Sequence, residues 1–362
     1  MTSNKPKRRS GRLNFLLVVL ALHIPLFAYP ILRICSWLDL SVPLTLAIFL
    51  PLFFSQIVAR IALRDPVSPF ARALRWAADI WLGVSPLVVG LVLLAEIPVA
   101  MAWLAPEAAA LSILVIAGLL AIVGIHSAHS PATVTVRLAS DKLPAAKRFV
   151  QISDVHIGSR SKRFLEHVID RVNALEPDFL CITGDFIDAT GISQEHLSAL
   201  TRVQGPIYFS IGNHEKYEDL EEIVQRLRNL GVNVLRNQSI QDEHLQVIGI
   251  DDMEDHGQVE RQLAKMEIHD HKYVLLLYHR PRGHEAAAAA GVDLMLSGHT
   301  HNGQIMPFNL VVNRVFEKAK GLFLEDSTHL YVSSGTGTWG PYMRLGTRGE
   351  ITLFEVSATS AN

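Results

Sequence analysis

Residues 148–156 read RFVQISDVH, an apolar run that ends in the triplet Asp154-Val155-His156. Its β-branched and aromatic residues predict a strand over Arg148–Ser153. Side chains two positions apart on an extended chain point to the same side, so Asp154 and His156 could bind one metal ion. An Asp-x-His pair on its own occurs by chance in many proteins, so its meaning depends on the rest of the chain.

The same succession of strand and polar motif recurs along the C-terminal half. We predict further strands over Asp178–Thr183, Pro206–Ile211, Tyr273–Tyr278 and Asp293–Ser297. They lead into Gly184-Asp185, Gly212-Asn213-His214-Glu215, His279 and Gly298-His299-Thr300-His301. Open α/β sheets bind ligands at the carboxyl ends of their strands. Carboxylate, amide and imidazole groups gathered there are typical of a two-metal hydrolytic site.

Amphipathic segments separate the strands and predict the layers around them. Helices are expected near Lys162–Leu175, Gln194–Val203 and Glu218–Leu230. We expect Thr133–Leu138 to pair with Arg148–Ser153, and Leu330–Ser333 and Ile351–Val356 to close a second sheet. The alternation of helix and strand therefore predicts an α/β domain.

The order of the motifs resembles the calcineurin-like metallophosphoesterase superfamily over about residues 130 to 356. The runs HTHNGQ (299–304) and GTGTWG (335–340) resemble its membrane-associated bacterial branch. The resemblance implies a four-layer α/β/β/α sandwich with a centre of two divalent metal ions. Such a centre holds a shared hydroxide that attacks phosphorus, so the expected activity is hydrolysis of phosphodiester or pyrophosphate bonds.

The resemblance also assigns the ligands. It implies that the first metal is held by Asp154, His156, Asp185 and His301. It implies that the second is held by Asp185, Asn213, His279 and His299, with Asp185 bridging. Residue 302 is asparagine where the family pattern has glycine, which puts the shape of that loop in doubt but not its ligands. This mixed ligand set suits manganese, iron, zinc, nickel or cobalt.

Two further side chains are assigned to catalysis. His214 is left over once the metals are satisfied, so we expect it to donate a proton to the leaving oxygen or to stabilise charge there. Asp188 lies three residues after Asp185 and is expected to fix the ring of His214, a pairing similar to one in the superfamily's phosphatases.

Substrate contacts are harder to predict. Arg344 and Asp252 are the candidates, arginine being suited to bidentate contact with phosphate. Solvation at the surface explains either residue about as well. Glu215 is interpreted as a charge on a loop rather than as a ligand.

The first 128 residues have a different character. The whole chain is 49% hydrophobic and only 19% charged, and the apolar excess lies before about residue 130. Four apolar stretches, each near the ~20 residues that span a bilayer, are Leu13–Leu32, Leu40–Ala59, Ile80–Ala102 and Ala108–Ile125. We therefore predict a transmembrane region over residues 1–128 and a phosphoesterase domain over residues 129–362. A cleaved signal peptide and a twin-arginine signal at Arg8-Arg9 fit the first stretch less well.

Basic residues predict the orientation of the chain. Lys5, Lys7, Arg8, Arg9 and Arg12 precede the first stretch, and Arg60, Arg64, Arg72 and Arg75 lie between the second and third. The opposite side carries only Arg33, so the positive-inside rule predicts a multi-pass inner-membrane protein with a cytoplasmic catalytic domain. Glu96, inside the third stretch, is expected to be solvated or to form a structural ion pair with Arg33.

Three functions are compatible with these features. The leading one is a membrane-anchored phosphoesterase acting on a lipid-linked substrate, such as UDP-linked diacylglucosamine or a phospholipid, because four helices exceed what tethering needs. A phosphodiesterase of soluble nucleotides that resides at the membrane is the alternative enzyme. A non-catalytic membrane receptor that binds metal or a phosphorylated ligand is the alternative of another class. The net charge of -2 gives no indication of a nucleic-acid partner.

Overall fold

The computed structural model describes residues 21–63 and 68–359, arranged in two compact units. Among these residues, one unit extends to Gly124 and includes residues 340–342, and the other comprises residues 125–339 with 343–359. We call them the membrane unit and the phosphoesterase unit.

The membrane unit is helical. A π-helical turn at Ile24–Ala28 is followed by helices α1 (Tyr29–Trp37), α2 (Val42–Ile61), α3 (Pro69–Ala100) and α4 (Pro106–His129). Among the described residues, α2, α3 and α4 are long and apolar enough to cross a membrane. The predicted first span, Leu13–Leu32, lies partly outside the described residues, and its described part belongs to the helical segment that ends at Trp37. The predicted count of four spans is thus approximate.

Internal prolines do not interrupt these helices. Pro51 lies inside α2, and Pro86 and Pro98 lie inside α3. Neighbouring helices can satisfy the backbone groups that proline frees in a membrane bundle. The ion pair expected between Arg33 and Glu96 is present, with two contacts of 2.6 and 2.7 Å.

The phosphoesterase unit contains two six-stranded sheets. The first has the order β1-β12-β2-β3-β4-β5, with strands Ala132–Ser140 (β1), Lys147–Ile152 (β2), Phe179–Thr183 (β3), Ile207–Ser210 (β4), Val232–Val234 (β5) and Glu350–Ala358 (β12). The second has the order β10-β11-β9-β8-β7-β6, with strands Gln238–Gln241 (β6), Leu245–Ile250 (β7), Tyr273–Tyr278 (β8), Leu294–Ser297 (β9), Gly321–Glu325 (β10) and Thr328–Val332 (β11). Strands β2 to β5 run parallel to one another, as do β7, β8, β9 and β11.

Helices cover the outer faces of both sheets. Helices α5 (Lys162–Asn173) and α7 (Leu220–Asn229) and a 3-10 segment at Gln194–Arg202 pack on the first sheet, and α8 (Gln258–Leu263) and α9 (His284–Ala289) pack on the second. The unit also contains α6 (Asn213–Tyr217), a 3-10 segment at His301–Gly303 and α10 (Phe308–Val315). No residue of α10 is buried. Alternate residues of each strand point either to the facing sheet or to the helices. Phe149 and Cys181 of the first sheet thus share a core with Leu275 of the second, while Val150 of β2 packs with Leu165 of α5. The predicted four-layer α/β/β/α sandwich is confirmed.

The predicted pairing of the first two strands is wrong. Strand β12 lies between β1 and β2, parallel to β1 and antiparallel to β2. Ile351–Val356 therefore belongs to the first sheet, whereas Leu330–Ser333 falls in the second as expected. A hairpin would place β1 and β2 side by side. Residues 141–146 are instead long enough to span the two spacings, of about 4.8 Å each, that separate β1 and β2 from β12 between them.

Candidate metal centre

The predicted ligands lie at the carboxyl ends of strands from both sheets. Asp154 and His156 follow β2, Asp185 follows β3, Asn213 begins the helix after β4, His279 follows β8, and His299 and His301 follow β9. Because these strands are parallel within each sheet, their ends meet at one edge of the sandwich.

Six of these side chains form two groups of possible metal ligands. One group is Asp154, His156 and His301, and the other is Asp185, His279 and His299. Within each group, the candidate ligand atoms all lie within 4.8 Å of one another. Each group contains one carboxylate and two imidazoles, a set that suits a divalent transition metal.

Ring nitrogens face one another inside each group. The Nε2 atoms of His156 and His301 are 3.1 Å apart, and Nε2 of His301 lies 3.4 Å from Oδ1 of Asp154. In the second group, Nε2 of His279 lies 3.1 Å from Oδ2 of Asp185 and 3.2 Å from Nδ1 of His299. Lone pairs at these separations repel unless a proton or a metal ion lies between them, so the donor set fits a metal.

Several ligands have a strained backbone. Asp154, His156, Asp185, His299 and His301 all have positive φ angles, between 49° and 72°. Residues other than glycine seldom adopt this left-handed conformation, and such residues cluster at functional sites. This backbone conformation directs the side chains of several short turns into one small volume.

Two glycines allow the backbone turns to approach the ligands closely. A Cβ atom on Gly298 would collide with Oγ of Ser153 and Oδ2 of Asp154. A Cβ atom on Gly212 would collide with the backbone nitrogen and Oδ1 of Asp185. Both motifs therefore require glycine, since any side chain would displace a carboxylate.

Burial and neighbouring charges shift the pKa values of the site. Burial, reinforced by the charge of His279, lowers the pKa of His299 to about 3. Burial likewise lowers the pKa of His301 well below its usual range, and the nearby His156 and Arg344 add to the effect. Both rings are therefore neutral at physiological pH, the form in which imidazole binds metal.

Asp185 and His279 act on each other in the opposite direction. Burial alone would lower the pKa of His279, but the Asp185 carboxylate outweighs it and raises the pKa to about 10. Burial alone would raise the pKa of Asp185, but the charge of His279 holds the pKa well below its usual range. Asp185 is therefore ionised, the form in which a carboxylate binds metal.

Glu215 has a structural role that the sequence interpretation missed. Its side chain is fully buried. Its carboxylate accepts hydrogen bonds from the backbone nitrogens of Gly212 (2.9 Å), Asp185 (3.1 Å), Phe186 (2.6 Å) and Ile187 (2.9 Å). It thus fixes the turn that carries Asp185. Its position, three residues after the residue that caps α6, matches the glutamate of a capping box, and this signal could have identified it.

His214 lies beside the ligand groups. Its backbone nitrogen donates to Oδ1 of Asp185 at 2.8 Å, and its ring Nε2 lies 4.0 Å from Oδ2 of the same residue. The His214 side chain is 19% exposed, more than those of His156 and His279, which are fully buried. A ring that borders the centre and is open to solvent can reach a bound substrate.

Asp188 contacts a different histidine from the one predicted. Its Oδ2 lies 3.3 Å from Nδ1 of His156, and its Oδ1 accepts a hydrogen bond of 2.8 Å from the backbone nitrogen of Ser159. Asp188 therefore orients His156 rather than His214, and the predicted pairing is wrong. The turn after β2 brings His156 over the Asp188 carboxylate, which spacing along the chain does not reveal.

The two predicted substrate contacts are buried. Arg344 is 1% exposed and donates to the carbonyl oxygens of Ser334 (2.7 Å), Gly337 (2.8 Å) and His301 (3.2 Å). Asp252 is also 1% exposed and accepts a hydrogen bond of 2.7 Å from Nε of Arg280. Their polar groups bind protein atoms away from solvent, so the geometry gives no support to the prediction that these two residues contact substrate.

Comparison with known proteins identifies relatives of the phosphoesterase unit. A sequence model described as calcineurin-like phosphoesterase matches residues 147–303. An uncharacterized metallophosphoesterase of Campylobacter jejuni is 32% identical over 257 residues, covering 68% of this chain and 69% of the relative. A transmembrane protein with metallophosphoesterase domain from Bos taurus is 32% identical over 268 residues, covering 66% of this chain and 60% of the relative. Among solved structures, a dimetal phosphatase from Danio rerio has 11% identity and a TM-score of 0.36, covering 60% of this chain and 100% of that one.

Proposed function

The chain belongs to the calcineurin-like phosphoesterase family, and on that basis we propose that it is a membrane-anchored hydrolase of phosphodiester or pyrophosphate bonds with a binuclear metal centre. The observation that carries the proposal is the pair of Asp-His-His groups at the carboxyl ends of the strands, which are buried except for the half-buried His299. Transmembrane relatives and three helices long enough to span a bilayer support the membrane attachment.

We propose the following ligands for the two ions. The first site consists of Asp154, His156, Asp185 and His301, and the second of Asp185, Asn213, His279 and His299. Oδ1 of Asn213 is buried and has no hydrogen-bond partner among the described residues. A buried carbonyl oxygen without a hydrogen-bond partner is well suited to bind a metal ion. Bound divalent cations supply Lewis-acid stabilisation of phosphoryl oxygens and activate water.

The remaining residues have separate roles in the proposed reaction. His214 donates a proton to the leaving oxygen, because its partly exposed ring borders Asp185 without belonging to either ligand group. Asp188 keeps the His156 ring in position through their 3.3 Å contact. Glu215 holds the Asp185 turn through backbone hydrogen bonds.

We further propose that residues 1–128 form the membrane region and residues 129–362 the catalytic domain, held at the cytoplasmic face of the inner membrane. A lipid-linked substrate, either UDP-diacylglucosamine-like or a phospholipid, fits a hydrolase that is anchored by several helices. Such a substrate places its phosphoryl groups at the membrane surface, where the anchored domain can reach them.

A phosphate-release screen tests the proposed function. Full-length protein in mixed micelles is supplied with Mn²⁺, Zn²⁺, Fe²⁺ or Mg²⁺ and with lipid-linked and water-soluble diesters in parallel. We expect metal-dependent hydrolysis that is abolished by Asp185→Asn. Hydrolysis of soluble diesters alone would contradict the lipid-linked substrate, and no hydrolysis with any metal would favour the non-catalytic receptor.

One observation favours the soluble-nucleotide alternative. The His214 ring makes edge contacts with Tyr217 and Trp339, with ring centroids 5.8 and 6.0 Å apart. Both aromatic side chains are exposed, and Gln304 fixes the Trp339 backbone through hydrogen bonds of 2.9 and 3.1 Å. Exposed aromatic rings beside a catalytic group can stack on a nucleobase.

A truncated chain separates the two substrates. Removing residues 1–124 retains Ala128, whose carbonyl accepts a 2.9 Å hydrogen bond from Arg160. If the substrate is a soluble nucleotide, the truncated protein should keep its turnover and Trp339→Ala should raise KM. If the substrate is lipid-linked, truncation should remove turnover of that substrate while small model diesters are still cleaved.

A further inference from the structure

The phosphoesterase unit carries a concentrated exposed apolar surface. Among its described residues, eleven large apolar side chains are exposed, and six of these lie within residues 308–324. The six are Phe308, Leu310, Val311 and Val315 of α10 and Leu322 and Leu324 of β10. We call them the α10 surface. Exposed apolar side chains concentrated in one segment of the chain indicate an interaction site, whereas isolated exposed residues do not.

Helix α10 leaves most of its apolar side chains exposed. No residue of the helix is buried, and Val311 and Val315 are 58% and 66% exposed. Asn309 faces inward instead. Its backbone lies so close to Gly303 that a Cβ atom on that glycine would collide with it. The Oδ1 atom of Asn309 is also buried. A helix in a soluble domain buries its apolar stripe and exposes its polar side. The apolar stripe of α10 therefore requires an apolar environment outside the domain.

Strand β10 contributes two further exposed leucines from the same segment of the chain. It lies at the edge of the second sheet, where β11 is its partner among the described strands. Leu322 and Leu324 project from it on the same side and are exposed, whereas Phe323 between them is partly buried. Exposed leucines on an edge strand are a liability in water unless something covers them.

We propose that the α10 surface docks on the lipid bilayer, at the boundary between headgroups and acyl chains. The same chain carries helices that could span a membrane, so a bilayer is available to this domain at high effective concentration. The exposed Arg314 on the helix adds a positive charge beside the apolar side chains. Apolar side chains next to a basic residue are typical of an interfacial helix, and anionic headgroups attract the basic residue.

The location of the surface gives it a use that depends on the proposed function. Helix α10 begins seven positions after His301, one of the proposed metal ligands. Docking through α10 would therefore place the metal centre near the headgroup layer. A lipid-linked phosphoryl group could then reach the centre while its acyl chains remain in the bilayer.

Cysteine labelling tests the docking without an activity assay. The native Cys35 and Cys181 are 3% and 0% exposed, and burial raises the pKa of the Cys181 thiol well above its usual range. An introduced exposed cysteine is therefore the reactive one. Val311→Cys is compared with Asn313→Cys, a matched position roughly 160° away around the helix. Each variant carries an environment-sensitive fluorophore in full-length protein reconstituted in phosphatidylcholine and phosphatidylglycerol nanodiscs.

We expect acyl-brominated phosphatidylcholine to quench the probe at residue 311 several-fold more than the probe at residue 313. Equal and weak quenching at both positions would overturn the proposal. A blue-shifted probe at residue 311 that brominated lipid does not quench would also overturn it, because a protein partner or a second copy would then cover the surface.

A charge substitution connects docking to the substrate. The double variant Val311→Glu with Val315→Glu should lower turnover of a lipid-linked diester by about tenfold or more. The reason is that docking would bury both valines in the bilayer, and the variant loses this apolar contact. Turnover of a soluble diester should stay unchanged, and the control Asn313→Glu should affect neither substrate. If no diester is cleaved by the unmodified protein, the proposed function fails, while the quenching result still decides the docking.

Discussion

At the residue scale, the Glu215 carboxylate accounts for the geometry of the turn that carries Asp185. It satisfies four backbone N–H groups that would otherwise be buried without partners. Burial, together with the nearby Asp185 charge, raises the pKa of Glu215 to about 7. The backbone donors and the charge of His279 oppose this shift and stabilise the buried carboxylate.

Replacing Glu215 with glutamine should destabilise the domain and weaken metal binding. The amide of Glu215→Gln turns an N–H group toward backbone N–H donors, and each donor left unsatisfied costs about 1–3 kcal/mol. Thermal unfolding and bound-metal analysis of the full-length protein measure both effects. Glu218→Gln is the matched control, because Glu218 accepts a hydrogen bond from Oγ1 of Thr190 away from the ligand groups. Unchanged metal content in Glu215→Gln would contradict the role given to this residue.

His214 should affect turnover without affecting the metals. His214→Ala is expected to retain both ions and to lose about 10²–10⁴ in kcat, the usual contribution of a general acid. Asp185→Asn should lose metal as well as turnover, because Asp185 lies 3.1 Å from His279 inside a ligand group. Metal content and kcat measured on the same samples separate the two variants. Full turnover of His214→Ala at saturating metal would disprove proton donation by this residue.

The sequence was sufficient to predict which residues gather at the centre, but not what surrounds them. Each ligand motif directly follows an apolar strand, so local pattern and strand direction predict the cluster. Asp188 and Asp252 contact Ser159 and Arg280, 29 and 28 positions away along the chain. Arg344 contacts His301, 43 positions away, as well as nearer carbonyl groups. These contacts depend on how the domain packs. Packing buries Asp252 and Arg344, which were expected to contact substrate, and their polar groups bind protein atoms instead.

At the element scale, the loop after β11 depends on one arginine. All three side-chain nitrogens of Arg344 donate to protein acceptors, including the carbonyl oxygens of Ser334, Gly337 and His301. The guanidinium also lies 3.3 Å from Nδ1 of His301. The arginine therefore connects the glycine-rich loop to the turn that carries a proposed ligand.

Lysine cannot replace this arginine. Arg344→Lys keeps the charge, but a single ammonium cannot reach acceptors arranged around a planar guanidinium. We expect a loss of about 2–4 kcal/mol in stability, and weaker metal binding at the site that contains His301. Thermal unfolding and metal titration check this expectation. Arg348→Lys is the control, since Arg348 makes an exposed 3.2 Å hydrogen bond to Ser130 and should change stability by less than about 0.5 kcal/mol.

Element order was less predictable than element existence. The predicted strands over Arg148–Ser153, Asp178–Thr183 and Tyr273–Tyr278 overlap closely with β2, β3 and β8. The position of β12 between β1 and β2 could not be deduced locally, because its partners lie more than 200 positions away. Local pattern specifies a strand, whereas its neighbours in a sheet depend on the packing of the whole domain.

At the scale of the whole molecule, the two units differ in the number and position of their exposed apolar side chains. Exposed leucine, valine and phenylalanine side chains are numerous in α2 to α4, as expected for helices that contact lipid. In the phosphoesterase unit such side chains are concentrated in the α10 surface. Lipid contact by both regions would make the bilayer part of the substrate path, rather than only an attachment point.

The distribution of basic residues makes a prediction for the orientation of the complete chain. Arg60, Arg72 and Arg75 lie between α2 and α3 or near the ends of these helices. Arg60 pairs with Asp79 at 2.9 Å, but acidic residues contribute little to the positive-inside rule.

A green fluorescent protein fused after Asn362 should therefore be fluorescent, and alkaline phosphatase fused there should be inactive, because only the former matures in the cytoplasm. Replacing Lys5, Lys7, Arg8, Arg9 and Arg12 with glutamine should weaken this bias and give some active phosphatase, whereas replacing Arg33 should not. Active alkaline phosphatase on the unmodified chain would place the metal centre on the opposite side of the membrane and would exclude a substrate presented by the cytoplasmic leaflet.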